Sequence, residues 1–312
     1  MAGTGTVTPH SIPTPRKASR ALQPTLKAEL QRILEAIERR PLSLRVPKPI
    51  RLMEDHAGMH YHFKPEIFVQ LRGTTYFRTP SEELAVRPGE IAIMPTGLAH
   101  GERIEHDFEP FRNFVIGFYS SSVSMHYAEE TRPGRPGITE VGFYPSTQLR
   151  RIEDLAETLV RIHHSNYSHR LVATRGLMLA LFSLLLEVLE SPEANGSSDS
   201  DKVCQVKWVV RDQLHHSGLS VKSIATQLGC SPDYLSHCYN RETGESLIHY
   251  INRQRVNGAL EALASTNKSV AEIATACGFS EAGYFTRVFR KLTGLTPGDY
   301  RKQRAEDKRT GD

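Results

Sequence analysis

The spacing of apolar residues along this 312-residue chain changes twice. Over residues 24–40 (PTLKAELQRILEAIERR), Leu26, Leu30, Ile33, Leu34 and Ile37 recur at helical spacing and predict one amphipathic helix. From about Leu42 to Tyr144 the runs shorten to EIFVQL (66–71), TTYF (74–77), EIAIM (90–94) and NFVIGFY (113–119). Turn signals separate them at Leu71-Arg72-Gly73-Thr74 and Arg87-Pro88-Gly89-Glu90. Many short strands at this spacing predict a β-sandwich or barrel. PGRPG (133–137) reads as a loop. Helical spacing then returns. Residues 146–164 carry Leu149, Ile152, Leu155, Leu159 and Ile162, and residues 169–190 carry Leu171, Leu177, Leu181, Leu184, Leu185 and Leu189. SPEANGSSDSD (191–201) reads as a flexible linker, and the Thr- and Pro-rich residues 1–23 as disordered.

After the linker one pattern is written twice. VKSIATQLGCSPDYLSHCYNRETGES (221–246) is answered by VAEIATACGFSEAGYFTRVFRKLTGLTP (270–297). Ile224-Ala225 matches Ile273-Ala274, and Gly229 matches Gly278. After one inserted residue, Tyr234-Leu235 matches Tyr284-Phe285, Tyr239 matches Phe289, and Thr243-Gly244 matches Thr293-Gly294. Each copy reads as helix, tight turn, helix. Gly229 and Gly278 suit a left-handed helix end. Ser231 and Ser280 read as N-caps, with Pro232 at the first helical position. Such a unit places its second helix in the DNA major groove. Residues 246–264 predict a connecting helix with an apolar stripe of Ile248, Ile251, Val256 and Leu260, extended by Leu247 and Leu263. It carries positive charge at Arg253 and Arg255. Two recognition helices on one face would enter successive grooves ~34 Å apart.

The second copy, with Gly278-Phe279, Tyr284-Phe285, Arg287, Phe289-Arg290-Lys291, Gly294 and Thr296-Pro297, resembles the signature of the AraC/XylS family of bacterial transcription regulators. The resemblance runs from Val203 to about Arg304. Residues the core leaves free are the candidates for DNA contact: Asp233, Ser236, His237 and Asn240 on the first recognition helix, and Ala282, Gly283, Thr286, Arg287, Arg290 and Lys291 on the second. The family reads bases from the positions of Asp233, Ser236, His237, Thr286 and Arg287. Arg287 is the strongest candidate, because an arginine fork fits guanine O6 and N7. Asp233 either accepts from cytosine N4 or caps its own helix. Arg290 and Lys291 are expected on phosphate.

Charge supports that placement. The net charge is +4, but residues 203–305 hold 13 Lys+Arg against 8 Asp+Glu, while residues 1–200 hold 23 of each. All four cysteines, Cys204, Cys230, Cys238 and Cys277, lie in this basic part without a CxxC pair, and Cys238 and Cys277 take apolar-face positions. The N-terminal MAGTGTVTPHSIPTP lacks the apolar region of a signal peptide, and no membrane span is read. A cytoplasmic protein is expected, bacterial by the resemblance.

Within the β-rich part, His60-x-His62-x3-Glu66-x6-Gly73 and Gly89-x5-Pro95-x-Gly97-x2-His100 resemble the two motifs of the cupin jelly roll. Two positions depart from them: Glu54 stands for a glycine and Ile104 for an asparagine. The resemblance implies that His60, His62, Glu66 and His100 bind either a metal or an organic effector. Two histidines two apart on a strand face one way, and three histidines with a carboxylate suit Fe, Mn, Ni or Zn. Tyr61, Phe68, Tyr76, Met94, Phe118 and Tyr119 are candidates to line a pocket.

The expected fold is multidomain, a mainly-β cupin-like jelly roll with flanking helices followed by an all-α domain of two helix-turn-helix units. The divisions are 1–23, a sensor at 24–145, helices at 146–190 that either form a dimer interface or pack on the sheet, a linker at 191–201, a DNA-binding domain at 202–305 and a tail at 306–312. The expected function is a regulator, an activator by family habit, controlled by a small molecule and not an enzyme. Its expected partners are double-stranded DNA, the effector, a second copy and RNA polymerase, with no membrane. Two other classes stay open: a metal-dependent cupin enzyme carrying a DNA-binding domain, and a DNA-binding protein that needs no ligand.

Overall fold

A computed structural model describes residues 15–17, 19, 21–39, 43–50, 52–104, 110–119, 121–132, 134–191 and 200–310. Of residues 1–23, expected to be disordered, 1–14, 18 and 20 lie outside these, but Arg16–Lys17 form a strand paired with Glu140–Val141 and Leu22–Gln23 open a helix. Of the linker expected at 191–201, residues 192–199 lie outside. The chain begins with β1 (Arg16–Lys17), α1 (Leu22–Arg39) and β2 (Leu44–Arg45). Then follow β3 (Glu66–Arg72), β4 (Thr75–Arg78), β5 (Glu83–Val86), β6 (Ile91–Met94), β7 (Gly101–Ile104), β8 (Arg112–Phe118), β9 (Ser122–Arg132), β10 (Arg135–Ile138) and β11 (Glu140–Pro145). The helices α2 (Leu149–His163) and α3 (Arg170–Glu190) close this part.

The larger sheet has the order β1-β11-β9-β8-β3-β6-β2, with β10 paired to β9, and a smaller one has the order β5-β4-β7. Successive side chains of a strand point to opposite faces, and here both faces are apolar. Ile67, Val69, Ile93, Phe114, Ile116, Met125 and Tyr127 face outward onto α1, α2 and α3. Phe68, Met94, Val115 and Ala128 face inward, against Phe77, Val86 and Ile104 of the smaller sheet. The registers Glu66↔Gly117 and Gly117↔Ser124 place these three residues in one row on the inward side. Of the segment 133–137, expected as a loop, residues 135–137 instead belong to β10, which pairs antiparallel with β9. Its strand-forming partner lies next to it, and the Pro-Gly content does not prevent edge pairing.

The buried side of α3 (Met178, Leu181, Phe182, Leu185, Val188 and Leu189) covers the sheet with α1 and α2. By length and composition alone α3 could cross a membrane. Its first turn leaves Leu171 and Val172 74% and 72% exposed.

The rest is helical: α4 (Asp201–Gln213), α5 (Val221–Gln227), α6 (Pro232–Thr243), α7 (Leu247–Ser265), α8 (Val270–Ala276), α9 (Ala282–Thr293) and α10 (Pro297–Thr310). Ser220 and Ser269 cap α5 and α8 with capping boxes, and Ser231 caps α6 through the Tyr234 amide. Gly244 and Gly294 end α6 and α9 in the left-handed conformation. Two details differ from expectation. The N-cap of α9 is Glu281, not Ser280, and makes no side-chain cap bond. On α7, Ile248 is 58% exposed, while Tyr250, Ala259 and Ala262 join Leu247, Ile251, Val256 and Leu263 in the core. Arg255 is also buried there. It donates to the carbonyls of Leu214, His216 and Leu219 and so binds the interior of the domain, leaving Arg253 as the surface charge.

Candidate DNA interface and candidate metal centre

The two recognition helices α6 and α9 are exposed at equivalent positions. Leu235, Cys238 and Tyr239 of α6 enter the core, as do Phe285 and Phe289 of α9. Asp233, His237 and Asn240 are exposed and Ser236 is half-buried; Ala282, Gly283, Arg287, Arg290 and Lys291 are exposed and Thr286 is half-buried. Thr286 donates its hydroxyl to Ala282 O at 3.0 Å. Asp233 does not cap α6, because Ser231 already does so. Asp233 lies in the first turn, where a carboxylate suits the helix dipole. Sequence reasoning passed over Tyr234 and Tyr284, which are 56% and 36% exposed on the same helices. Asn252 donates to the Tyr284 hydroxyl at 3.0 Å and orients it.

At the open end of the β-sandwich, His60 and His100 pair across a two-bond bridge, His60 N to His100 O at 2.9 Å and the reverse at 2.8 Å. Ring nitrogens of His60, His62 and His100 all lie within 4.8 Å of one another. Glu66 enters from the inward row of β3, its Oε2 3.4 Å from His62 Nε2 and 3.9 Å from His100 Nε2. Burial, joined by repulsion from neighbouring imidazoles and from the Arg211 guanidinium, holds His60 and His62 well below the ordinary histidine pKa. Burial also lowers His100, against an opposing pull from Glu66.

The donor set fits a transition metal. His100 Nδ1 lies 3.0 Å from Leu98 O, so it carries the proton and leaves Nε2 as a lone pair facing the cluster. That Nε2 is buried without a hydrogen bond, as is His62 Nδ1. Neutral imidazoles and a carboxylate are the forms that ligate metal. The four residues read from the motif thus meet at one place. Of the pocket candidates, Tyr61 instead donates to Ala276 O of α8 at 2.8 Å, and Phe68 and Met94 lie in the core between the sheets.

One residue at this site was invisible in the motif. Arg211 of α4 reaches into the mouth of the sandwich and makes a short ion pair with Glu66 Oε1, both side chains nearly buried. Burial opposes its charge, yet Glu66 and the Tyr119 hydroxyl hold its pKa above the ordinary arginine value. Around it Trp208 and Cys204 pack on Tyr119, Val141 and Phe143, and Phe63 presses on Gly258 of α7.

A model described as a helix-turn-helix domain matches residues 224–303. The chain is 31% identical over 230 residues to the MmsAB operon regulatory protein of Pseudomonas aeruginosa, covering 71% of this chain and 68% of that one. It is 25% identical over 237 residues to the arabinose operon regulatory protein of Salmonella typhimurium, covering 74% of this chain and 81% of that one. The chain belongs to the AraC family of transcriptional regulators. A solved transcriptional regulator with an AraC-type DNA-binding domain from Chromobacterium violaceum is 29% identical, covers 36% of this chain and 96% of that one, and aligns with a TM-score of 0.31.

As an AraC-family member the chain is a DNA-binding transcriptional regulator and not an enzyme. The multidomain expectation holds, with a mainly-β part ahead of a helical AraC-type domain.

Proposed function

We propose that this AraC-family regulator is ligand-controlled, with His60, His62, Glu66 and His100 as the ligand site and α6 and α9 as the reading heads. Asp233, Ser236, His237, Thr286 and Arg287 face base edges, while Asn240, Ala282, Gly283, Arg290 and Lys291 lie along the backbone. The observation that carries the reading is that Glu66 faces the histidine cluster with one oxygen and Arg211 of the DNA-binding domain with the other. A ligand that engages this carboxylate acts on both domains, and it shifts the balance only by its different affinity for the two states. The donors favour a divalent transition metal (Fe, Mn, Ni or Zn) as that ligand. The sensor spans 24–145, the helices 146–190 contribute a homodimer contact through α3, 191–201 links, 202–305 binds DNA and 306–312 is a tail. The protein acts in the bacterial cytoplasm as an activator, with RNA polymerase as its partner at the promoter.

The test uses full-length untagged protein, its metal content and its affinity for DNA upstream of its own gene with and without chelator. Stoichiometric metal that is absent from His60→Ala and Glu66→Ala, with DNA affinity or footprint dependent on it, is expected. DNA binding indifferent to metals and to a panel of sugars and organic acids would sink ligand control.

A further inference from the structure

We propose that Glu66 serves two cations in alternation: Arg211, which docks the DNA-binding domain on the sensor, or a divalent metal held with His60, His62 and His100. The inference rests on reading the quartet as a ligand site and adds how that site is regulated.

Arg211 lies on one oxygen of the buried Glu66 carboxylate, while His62 and His100, which cluster with His60, approach the other. Glu66 and Arg211 neutralise each other in the docked state. A dication seated among the imidazoles would lie a carboxylate's width from the guanidinium, with little water to screen the repulsion. Departure of Arg211 relieves that repulsion, because the metal then neutralises Glu66. Without metal, departure of Arg211 strands a buried carboxylate, which holds the docked state closed.

The site is shaped for this arginine. Gly117, the register partner of Glu66, has no side chain where Arg211 lies. A Cβ there would stand 2.9 Å from Arg211 Cζ and 3.0 Å from its NH1, as well as 2.8 Å from Ser124 Oγ. Among the described residues the other ion pairs between the two parts are more exposed, Lys268–Glu54 at 3.3 Å and Arg150–Glu261 at 3.7 Å, and such pairs hold little. Arg211 is therefore the buried charged anchor of this contact, beside the Tyr61–Ala276 hydrogen bond. The face it anchors involves α4, α7 and α8, so α6 and α9 stay exposed when docked. Release changes the placement of the reading heads relative to the sensor without uncovering them.

Because coupling is reciprocal, Arg211 must weaken metal binding by the same factor by which metal weakens docking. The chain has one tryptophan, Trp208, buried at this contact, and its fluorescence reports undocking. Full-length untagged protein is titrated with Zn2+, which does not itself quench by redox chemistry. In the wild type, Zn2+ should red-shift Trp208 emission and raise its quenching by acrylamide; Glu66→Gln should give no shift. Arg211→Gln and Gly117→Ala should be red-shifted before any metal is added and should bind Zn2+ about tenfold or more tightly. Gly117→Ala displaces the flexible end of Arg211 and leaves every metal donor in place, so it stands in if Arg211→Gln misfolds. Equal Zn2+ affinity in wild type and both variants, with Trp208 unmoved, would overturn alternation while leaving the metal site intact. No Zn2+ binding in any of the proteins would overturn the metal reading and alternation with it.

Discussion

Trp208 of α4 stands edge-on to His126 of β9, with ring centroids 5.2 Å apart and planes at 83°. The contact joins the two parts of the chain and keeps an imidazole away from water. Burial pushes His126 down to about 3, with the charge of Arg211 adding to the effect. On the other side of the contact His215 stacks on Tyr61 with centroids 4.6 Å apart, and burial plus His216 push it down to about 3. Both rings are neutral when folded and take up protons only on unfolding. Their contribution to stability is whole above the unfolded pKa of ~6.5 and is lost as pH falls from there towards 3. Each group adds a slope of up to ~1.4 kcal/mol per pH unit. Thermal unfolding followed by circular dichroism should drop between pH 7 and pH 4, and the His126→Gln, His215→Gln double variant should drop less steeply. Identical slopes in the two proteins would count against this assignment.

Two glycines of the second helix-turn-helix unit should respond oppositely to alanine. Gly278 has φ +81°, and a Cβ there would meet Leu214 O at 2.4 Å and Arg255 Nε at 2.9 Å. Those are atoms of the buried Arg255–carbonyl knot, so the substitution strains the backbone and breaks a charged hydrogen bond. Gly278→Ala should cost ~2–4 kcal/mol. Gly283 opens onto empty space in the first turn of α9, so Gly283→Ala should be neutral or gain up to ~1 kcal/mol. Denaturant unfolding of the two variants decides it, and a stable Gly278→Ala would show that the knot is not a stabilising feature.

Which parts were legible in the sequence follows from how locally each is encoded. The helix-turn-helix units were readable because their turns, caps and apolar faces lie within about twenty residues of one another and occur twice. The set of three histidines and Glu66 was readable because its spacing resembles the two cupin motifs, and the fold brings His60 to His100 through an isolated bridge. Arg211 was not, since its partner Glu66 lies 145 residues away and across a domain boundary. Its only local sign was a charge set among Trp208, Val209, Val210 and Leu214, which by itself also describes a surface arginine. The face of α7 was misplaced for a related reason. Ile248 looks like core by type, but Tyr250 and the small residues Ala259 and Ala262 fit the packed side, and only the neighbouring helices reveal that.

The exposed start of α3 offers a direct test of self-association. Leu171 and Val172 are exposed apolar neighbours beside the packed face of the helix. A charge placed there disturbs no core contact, so the fold should keep its stability within ~0.5 kcal/mol. Leu171→Glu with Val172→Glu should convert a dimer to a monomer in sedimentation equilibrium. A double variant that sediments as the wild type would place any self-association elsewhere.

Arg287 and Arg290 sit one helical turn apart on α9, both exposed, yet their substitutions should read differently. Arg287 occupies the position answering to His237 of α6, and its fork suits guanine. Arg287→Ala should cost ~1–3 kcal/mol of operator affinity and relax the preference at one base pair. Arg290 lies one turn further on, beside Lys291 in the last turn of the helix, where phosphate is the nearer partner. Arg290→Ala should weaken specific and non-specific DNA alike and reduce the slope of log affinity against log salt by ~1. Binding to the operator and to scrambled DNA across a salt series separates the two. If Arg287→Ala lowers both affinities equally, Arg287 contacts phosphate, and base reading on α9 then falls to Thr286 and its neighbours.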